Sequence, residues 1–446
     1  MIEREIYQKL VSWKNQKYRR PLVLKGARQT GKSFIITEFG QQEFKKIHCV
    51  NFQRDKFIHP LFQEQQSLRP QNILRELGYL LKDQIDIQHD LLFFDEIQDC
   101  AGAINSLKYF EEELPQMAVI ATGSYLGTMV NQESFPVGKV EFTSMGPLCF
   151  REFLLAISPK LIQHYDNFSL DNPKPIEKIY HDQFLKVLKL YFTLGGMPRV
   201  VQRFIDFRKD NDESVALQKV VEIQESLLLG HKADFSKYYG AVNPAHINYV
   251  FDAVSLQLSK AYDDGVKKFK FSGVIPKQKG YERVAGPLNW LLYARLTIKC
   301  LLAKKAVHPL KSYCEMNRFK LFMFDVGLLH RALDIPIEVI MASKLGSYKG
   351  YLAENFVACE FFNKTNNDLY SWAEGNSEIE FLIQRGVDII PVEVKSSSRS
   401  RRAKSLDVFI EKYHPPLAIK LTSQNVGYME SKNLLTLPIY LAAKLF

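Results

Sequence analysis

The sequence predicts an α/β fold whose first third is a parallel sheet, and two observations predict it. Short apolar runs recur at Leu22–Leu24, Lys46–Phe52, Leu91–Phe94 and Ala118–Ala121, with polar or helical stretches between them. Short apolar runs spaced this way suit strands buried on both faces, as in consecutive βαβ units. The second observation is Gly26-Ala27-Arg28-Gln29-Thr30-Gly31-Lys32-Ser33, a G-x-x-x-x-G-K-S segment that follows the first run and opens a helical stretch. A strand before and a helix after are the context in which that pattern forms a phosphate loop.

The elements that follow are read in order. Residues 151–235 are mostly helical in pattern, with a polar break at Asn167–Pro175. The stretch Gln183–Pro198 has helical periodicity and ends at Gly195-Gly196, a natural helix stop. Ala245–Leu258 and Gly286–Lys299 read as helices, and Phe319–Phe324 as a strand. Past residue 348 an amphipathic helix, YKGYLAENFVACEFFNK, precedes strand-like runs at Leu369–Ala373, Glu378–Ile383 and Ile389–Lys395. A helix at Ser405–Lys412 and a strand at Leu417–Leu421 close the chain. No internal repeat is present. The pattern divides into residues 1–155, 156–240, 241–335 and 340–446.

Composition sets outer bounds. The chain has 446 residues, 46% of them hydrophobic and 24% charged, which fits a folded protein and excludes a disordered one. The N-terminus is charged from its third residue, and no run approaches the roughly 18 apolar residues of a membrane span. The expectation is a cytoplasmic protein with no membrane partner. The cysteines, Cys49, Cys100, Cys149, Cys300, Cys314 and Cys359, show no CxxC spacing. They are expected to be buried reduced thiols rather than ligands or disulfides.

Charge is unevenly placed. Lys260 to Lys320 holds 14 Lys and Arg against Asp263, Asp264, Glu282 and Glu315, an excess equal to the +10 of the whole chain. A concentrated basic segment is the footprint of a polyanion partner, so nucleic acid is a candidate ligand.

The first third carries the chemistry of a nucleotide site. In the loop Gly26–Ser33 the glycines let backbone N–H groups curl around phosphate oxygens, and the helix N-terminus adds dipole charge. Lys32 would reach the β- and γ-phosphates, and the Ser33 hydroxyl would bind Mg²⁺. LLFFDEIQ places Asp95 and Glu96 at the C-terminal end of a buried strand, the edge where parallel α/β sheets bind ligands. Asp95 would hold Mg²⁺ through water, and Glu96 would act as general base toward the attacking water. The strand Met117–Ser124 ends in small polar residues, of which Thr122 or Ser124 could touch the γ-phosphate or the water. ATP and Mg²⁺ are the expected cofactors, and hydrolysis of ATP the expected reaction.

With these motifs in order, the chain resembles the AAA-type ATPases of bacteria and archaea that carry a C-terminal domain of unknown function with a restriction-endonuclease-like fold. The match runs through IEREIYQKLVSW at the start, SFPVGKVEF at Ser134–Phe142 and PLCFREFL at Pro147–Leu154. It continues through Gly195–Val201, Ala233–Tyr238, Phe319–Leu329, Lys349–Val357 and Pro391–Ser396. The resemblance implies that Ser124 is the sensor-1 position and that the basic middle is a winged helix. Many relatives have Gly-Arg where this chain has Gly138-Lys139; Lys139, Arg151 and Arg199 are alternative candidates for an arginine-finger-type residue in a homo-oligomer. Asp234 and Lys237 match a further motif of the family.

The last hundred residues hold a second constellation. Glu380 and Glu393-Val394-Lys395 lie on successive strand-like runs separated by the turn residues Gly386 and Asp388. Residues i and i+2 on a strand face the same way, so Glu393 and Lys395 point together, and a hairpin brings Glu380 near. Two carboxylates can hold Mg²⁺ while a lysine orients a hydrolytic water at a phosphodiester. This looks like the acid–acid–x–Lys core of nucleases, with Glu354 matching a further acid and the tail SRSRRAK (Ser398–Lys404) placed to grip phosphate. Trp290 and Tyr293 are expected in the core of their helix, and the scattered histidines have no assigned role.

The resulting expectation is an AAA-type ATPase domain, a helical and winged-helix middle, and a small α/β restriction-endonuclease-like domain, acting on DNA. The rival is a nucleotide-dependent signalling or assembly switch whose nuclease-like domain is inactive and binds a protein. A small-molecule kinase would need an acceptor pocket over the phosphate loop and does not suit a long chain with a basic middle.

Overall fold

A computed structural model describes residues 2–63, 68–124, 136, 138–236, 242–264, 268–342, 350–395 and 404–446. They form two compact units. One is Glu3–Gly146 with Tyr293–Arg295, and the other is made of Pro147–Leu292 and Leu296–Phe446.

The first unit is built on a five-stranded sheet: β1 (Leu22–Lys25), β2 (Lys46–Asn51), β3 (Asp90–Asp95), β4 (Ala118–Gly123) and β5 (Glu141–Ser144). The order is β2-β3-β4-β1-β5, with every neighbouring pair parallel. The four apolar runs are thus four strands. The fifth was not foreseen, because EFTS is short, polar and only half-buried at the sheet edge. Alternation along β3 sends Phe93 and Phe94 to opposite faces, and each face has its own core. Phe94 packs edge-on against Phe52, Phe62 and Phe110 at centroid distances of 5.5, 5.9 and 6.3 Å. Such pairs add about 1 kcal/mol each beyond area burial. The layout has one consequence for chemistry. β1 has β4 on one side and β5 on the other, so strands β2 to β4 are laid down on one side of β1 and β5 on the other, and the ends of β1, β4 and β3 lie in a row.

The second unit starts with the helices Phe150–Ile157, Ile162–Asp166, Lys178–Leu194, Pro198–Asp210 and Glu213–Phe235. The expected break at Asn167–Pro175 falls in the gap before Lys178. Helices Pro244–Asp264 and Tyr281–Tyr293 follow, then an eight-stranded sheet of order β12-β13-β11-β10-β9-β8-β6-β7. Its strands are β6 (Thr297–Ala303), β7 (Cys314–Met323), β8 (Leu369–Glu374), β9 (Ser377–Arg385), β10 (Asp388–Val394), β11 (Ala418–Thr422), β12 (Gly427–Met429) and β13 (Leu434–Pro438). The hairpin β6–β7 joins the later strands through a parallel β6–β8 pairing, so residues from both 241–335 and 340–446 share one sheet.

Three readings change. The helix expected over Gly286–Lys299 ends at Tyr293, and its last residues open β6. Arg295 adopts φ 58°, a left-handed stop, and TIKCLLA is buried at every residue, which favours a central strand over an amphipathic helix. Tyr293, expected in the core, is 44% exposed at that helix end, whereas Trp290 is buried and meets Phe235 edge-on. Cys100, Cys149, Cys300 and Cys359 are buried, but Cys49 is exposed because β2 is an edge strand. Ser134, Phe135, Val137, Lys237, Tyr238, Lys349, Ser396 and Ser398 to Ala403 of the expected motifs lie outside the described residues; Asp234 is buried. No helix among the described residues is long and apolar enough to cross a membrane.

The glycine stop at the end of Lys178–Leu194 is explained by a carboxylate. Gly195 has φ 73° and ψ −169°, a conformation open essentially to glycine alone. A Cβ there would lie 2.2 Å from Asp325 Oδ1. Asp325 accepts from the Gly196 N–H at 2.7 Å and caps the next helix by accepting from Leu328 N–H at 2.9 Å. Burial pushes its carboxyl up to about 6 despite these donors. Gly195→Ala should therefore destabilise the second unit by about 3 kcal/mol, the upper end for a strained backbone position, read as a lower denaturation midpoint at unchanged slope.

Candidate active site

The row of strand ends brings the three N-terminal motifs together. The loop Gly26–Ser33 leaves β1 and feeds the helix Lys32–Glu43, whose cap residue Gly31 has φ 90°. Gln29 is also left-handed, at φ 65°. Alternating backbone hands of this kind turn successive N–H groups inward and form an anion nest, which the free N–H groups of the helix start extend. Gly26 is glycine for a different reason: a Cβ would lie 2.2 Å from the Met145 carbonyl oxygen. Ala27 and Thr30 are buried, and Thr30 Oγ1 donates to the Ala27 carbonyl at 2.9 Å. Arg28 is half-buried and Gln29 exposed at the loop tip.

Lys32 folds back over this loop. Its ammonium donates to the carbonyls of Gly26 at 3.0 Å and Ala27 at 2.9 Å, and to Ser124 Oγ at 3.4 Å. Burial pushes it down to about 8, against the opposing pull of Glu96 and Asp95. A buried ammonium satisfied only by carbonyls and a hydroxyl is poised to take a phosphate instead.

Asp95 is the junction. Its Oδ1 accepts from Ser33 Oγ at 3.0 Å and, through a short bond, from Thr122 Oγ1; its Oδ2 accepts from Asn51 Nδ2 at 2.9 Å. Ser33 and Asp95 are thus in contact, the placement that lets a hydroxyl and a carboxylate share one Mg²⁺ and its waters. Glu96 follows in a left-handed conformation, φ 49°, with its Oε2 accepting from Gln98 Nε2 at 2.6 Å. Sequence reasoning missed Asn51 and Gln98. The first is aligned with Asp95 by the β2–β3 register, a relation invisible before strands are paired.

It also missed Arg295, which folds with the first unit and donates from Nη1 to Ser144 Oγ at 3.1 Å. Lys25, paired with Ser144 across β1–β5, is pushed down to about 8 by burial and by Arg295.

The second centre lies in the other unit. The antiparallel register Val392↔Phe381 sets Glu393 beside Glu380. Lys395 Nζ is 3.0 Å from Glu393 Oε1 and 3.8 Å from Glu380 Oε1, and Glu380 Oε2 accepts from the Val394 N–H at 3.1 Å. Burial, aided by Glu354 and Glu393, pushes Glu380 up to about 8, with Lys395 opposing. Glu354, on the helix Gly350–Thr365, is held not by these residues but by Lys320 of β7, at 3.4 Å, which also meets Glu378 at 2.5 Å. Burial would lower the Lys320 ammonium, but Glu354, Glu378 and Glu380 outweigh it and push it up. Lys320 and Glu378 had no role in the sequence reading.

Among the described residues no three acids, histidines or cysteines are grouped as a protein-only metal cage. The pair Glu380 and Glu393 nevertheless fits an ion completed by water or phosphate: Glu393 is 1% exposed and its Oε2 has no hydrogen-bond partner among the described residues.

Residues 18–154 match the family model of the AAA domain, and residues 185–338 and 349–440 match those of two domains of unknown function, DUF8612 and DUF4143. The N-terminal unit is therefore a P-loop ATPase domain of the AAA type, an ATP-binding module. Among solved structures the chain is similar to a Walker-type ATPase of Pyrococcus abyssi, at 16% identity over 75% of this chain and 96% of that one, TM-score 0.45. It is also similar to the ORC1 protein of Aeropyrum pernix in complex with DNA, at 12% identity over 75% of this chain and 92% of that one, TM-score 0.31. A third is the RuvB Holliday junction branch migration motor of Thermotoga maritima, at 15% identity over 67% of this chain and 90% of that one, TM-score 0.31. No curated protein matches.

Lys32→Ala removes the one ammonium aimed into the loop. ATP affinity measured by calorimetry should fall about 100-fold, near 3 kcal/mol for a buried charge-assisted contact, with little change in the melting temperature of the free protein.

Proposed function

We propose that the chain is a Mg²⁺-dependent AAA-type ATPase of the cytoplasm whose nucleotide cycle acts on nucleic acid, DNA in the first instance. The nucleotide half has defined parts. The nest of Gly26–Ser33 holds the phosphates, and Lys32 exchanges its carbonyl partners for the β- and γ-oxygens. Ser33 and Asp95 would hold Mg²⁺, which neutralises phosphate charge when bound. Thr122 and Asn51 fix the Asp95 rotamer, so neither oxygen can turn away. Glu96 takes the proton of the attacking water once its carboxylate leaves Gln98. Ser124, within 3.4 Å of Lys32, senses the γ-phosphate.

The observation that carries the nucleic-acid half is the Glu380–Glu393–Lys395 centre on β9 and β10. The order helix Gly350–Thr365, β8, β9, β10, helix Lys404–Tyr413, β11 supports a restriction-endonuclease-like core around it. Two carboxylates and a lysine at these distances suit phosphodiester hydrolysis with one divalent ion bound, the lysine orienting water. The basic segment supports the same reading. Its helices Pro244–Asp264 and Tyr281–Tyr293 followed by the β6–β7 hairpin have the order of a winged helix. Lys268, Lys270, Lys277, Lys279 and Arg283 are exposed there, although Arg295, Lys299 and Lys320 of the same segment turn inward. On this reading residues 1–155, 156–240, 241–335 and 340–446 act as ATPase, lid, winged helix and nuclease-like parts.

A homo-oligomer would complete each nucleotide site with a cation from its neighbour. Lys139 is already paired with Glu111 and Glu112, and Arg151 with Asp166. Arg199, exposed at the start of its helix, forms no ion pair among the described residues and is the preferred candidate.

Steady-state ATP hydrolysis should rise several-fold with double-stranded or single-stranded DNA at low salt, and Lys32→Ala should abolish it. Glu96→Gln should keep ATP affinity but lower kcat by about 100-fold, the scale of a lost general base. ATP hydrolysis that ignores DNA, in a chain that also fails to bind DNA, defeats the nucleic-acid reading. It supports a signalling switch that binds a protein instead.

A further inference from the structure

Lys320 has no work in the reading above, yet it is placed like a bound ion. Its side chain is 13% exposed, and its ammonium lies 2.5 Å from Glu378 Oε1 and 3.4 Å from Glu354 Oε2. Those two carboxylates come from different elements, a helix and β9, and they converge on one small cation from separate directions. Next to them Glu380 and Glu393 converge on Lys395, and there Glu393 Oε2 is buried without a hydrogen-bond partner among the described residues. Four carboxylates face two ammonium groups. With all ionised, a charge of minus two is left over, which one divalent ion balances.

We infer that Lys320 is a tethered cation standing where a second metal ion would bind, so that the centre takes a single divalent ion at Glu380 and Glu393. Glu354 and Glu378 hold a lysine rather than a metal. The inference rests on the divalent-ion reading of the Glu380–Glu393 pair, and it adds a stoichiometry that pair alone does not give. It also accounts for the lack of a three-acid cage among the described residues, since two of the four acids are occupied by a side chain. The geometry suits an ammonium on a stiff strand: β7 is held to β6 through the pairing Cys300↔Lys320, so the lysine arrives at a fixed position.

The test uses the full chain without nucleotide, in an Asp95→Asn background that removes the carboxylate of the nucleotide site. Mn²⁺ is titrated and free Mn²⁺ followed by electron paramagnetic resonance. The expected result is one bound ion, its loss in Glu393→Gln, two bound ions in Lys320→Gln, and one in Lys320→Arg, which keeps the charge. Lys320→Gln leaves Glu354 and Glu378 facing each other without a cation, so it should melt lower than its parent, and Mn²⁺ should restore the melting temperature far more than it raises that of the parent. An ion lost in Glu393→Gln but no second ion and no Mn²⁺ recovery in Lys320→Gln overturns the inference and leaves the Glu380–Glu393 reading intact. A Lys320→Gln chain that stays unfolded at saturating Mn²⁺ overturns it too, because a divalent ion then cannot take the place of the lysine. Equal Mn²⁺ binding by the parent and Glu393→Gln overturns the reading on which it rests.

Discussion

The nucleotide site depends on the hydrogen bonds that converge on Asp95. One carboxylate accepts from Asn51 at the end of β2, from Thr122 at the end of β4 and from Ser33 at the start of the helix after β1. Three chain segments far apart in sequence are thereby locked at one point. The strand order makes this feasible: β4 lies between β1 and β3, so the loop from β1 and the acids of β3 face each other across the polar end of β4. Each donor also satisfies a carboxylate that burial would otherwise penalise. Preorganisation here is a property of the sheet, since no side chain has to travel to complete the set.

The C-terminal centre solves the opposite problem. Asp95 is a single acid with many neutral donors. Glu354, Glu378, Glu380 and Glu393 are several acids with few donors, offset only in part by Lys320 and Lys395. Burial drives Glu380 up to about 8, far above an ordinary carboxyl. Below that value the group is neutral and the cluster is close to balanced. Above it the extra negative charge calls for a counter-ion. A site with this property responds to cation supply, whereas the Asp95 site is complete in neutral hydrogen bonds and waits for phosphate.

Much of this was legible before any strand was paired, and the failures have physical causes. The runs around Leu22, Phe93 and Ile120 announced themselves because parallel strands buried on both faces must be apolar throughout. β5 did not, because a four-residue edge strand with three half-buried residues and one exposed carries no such pattern. The loop Gly26–Ser33 and the pairs Asp95-Glu96 and Glu393-x-Lys395 are local in sequence, so their chemistry could be read from spacing. Asn51, Arg295 and Lys320 are joined to their sites only by register and topology, which spacing does not encode. Lys320 is the sharpest case. By sequence it was one of fourteen basic residues in a segment suited to a polyanion, and by structure it is a buried counter-charge. A count of charges gives the sum over a segment and not which side chains turn inward.

The energetics of the buried charges show that stability alone does not account for them. Replacing a buried ion network by apolar side chains of similar volume is commonly neutral or stabilising. The sheet around this one is otherwise apolar: Phe381, Leu382, Ile390 and Val392 on the same two strands are buried. Stability alone would extend that pattern through Glu380 and Glu393. The two acids instead occupy facing register positions, one of them with an oxygen lacking any donor among the described residues. An unmet buried acceptor costs about 1–3 kcal/mol, and the fold bears that cost beside a lysine two residues on along the same strand. What sets Glu380 and Glu393 apart is the combination: facing acids, a lysine two residues on, and a buried oxygen, Glu393 Oε2, without a hydrogen-bond partner among the described residues.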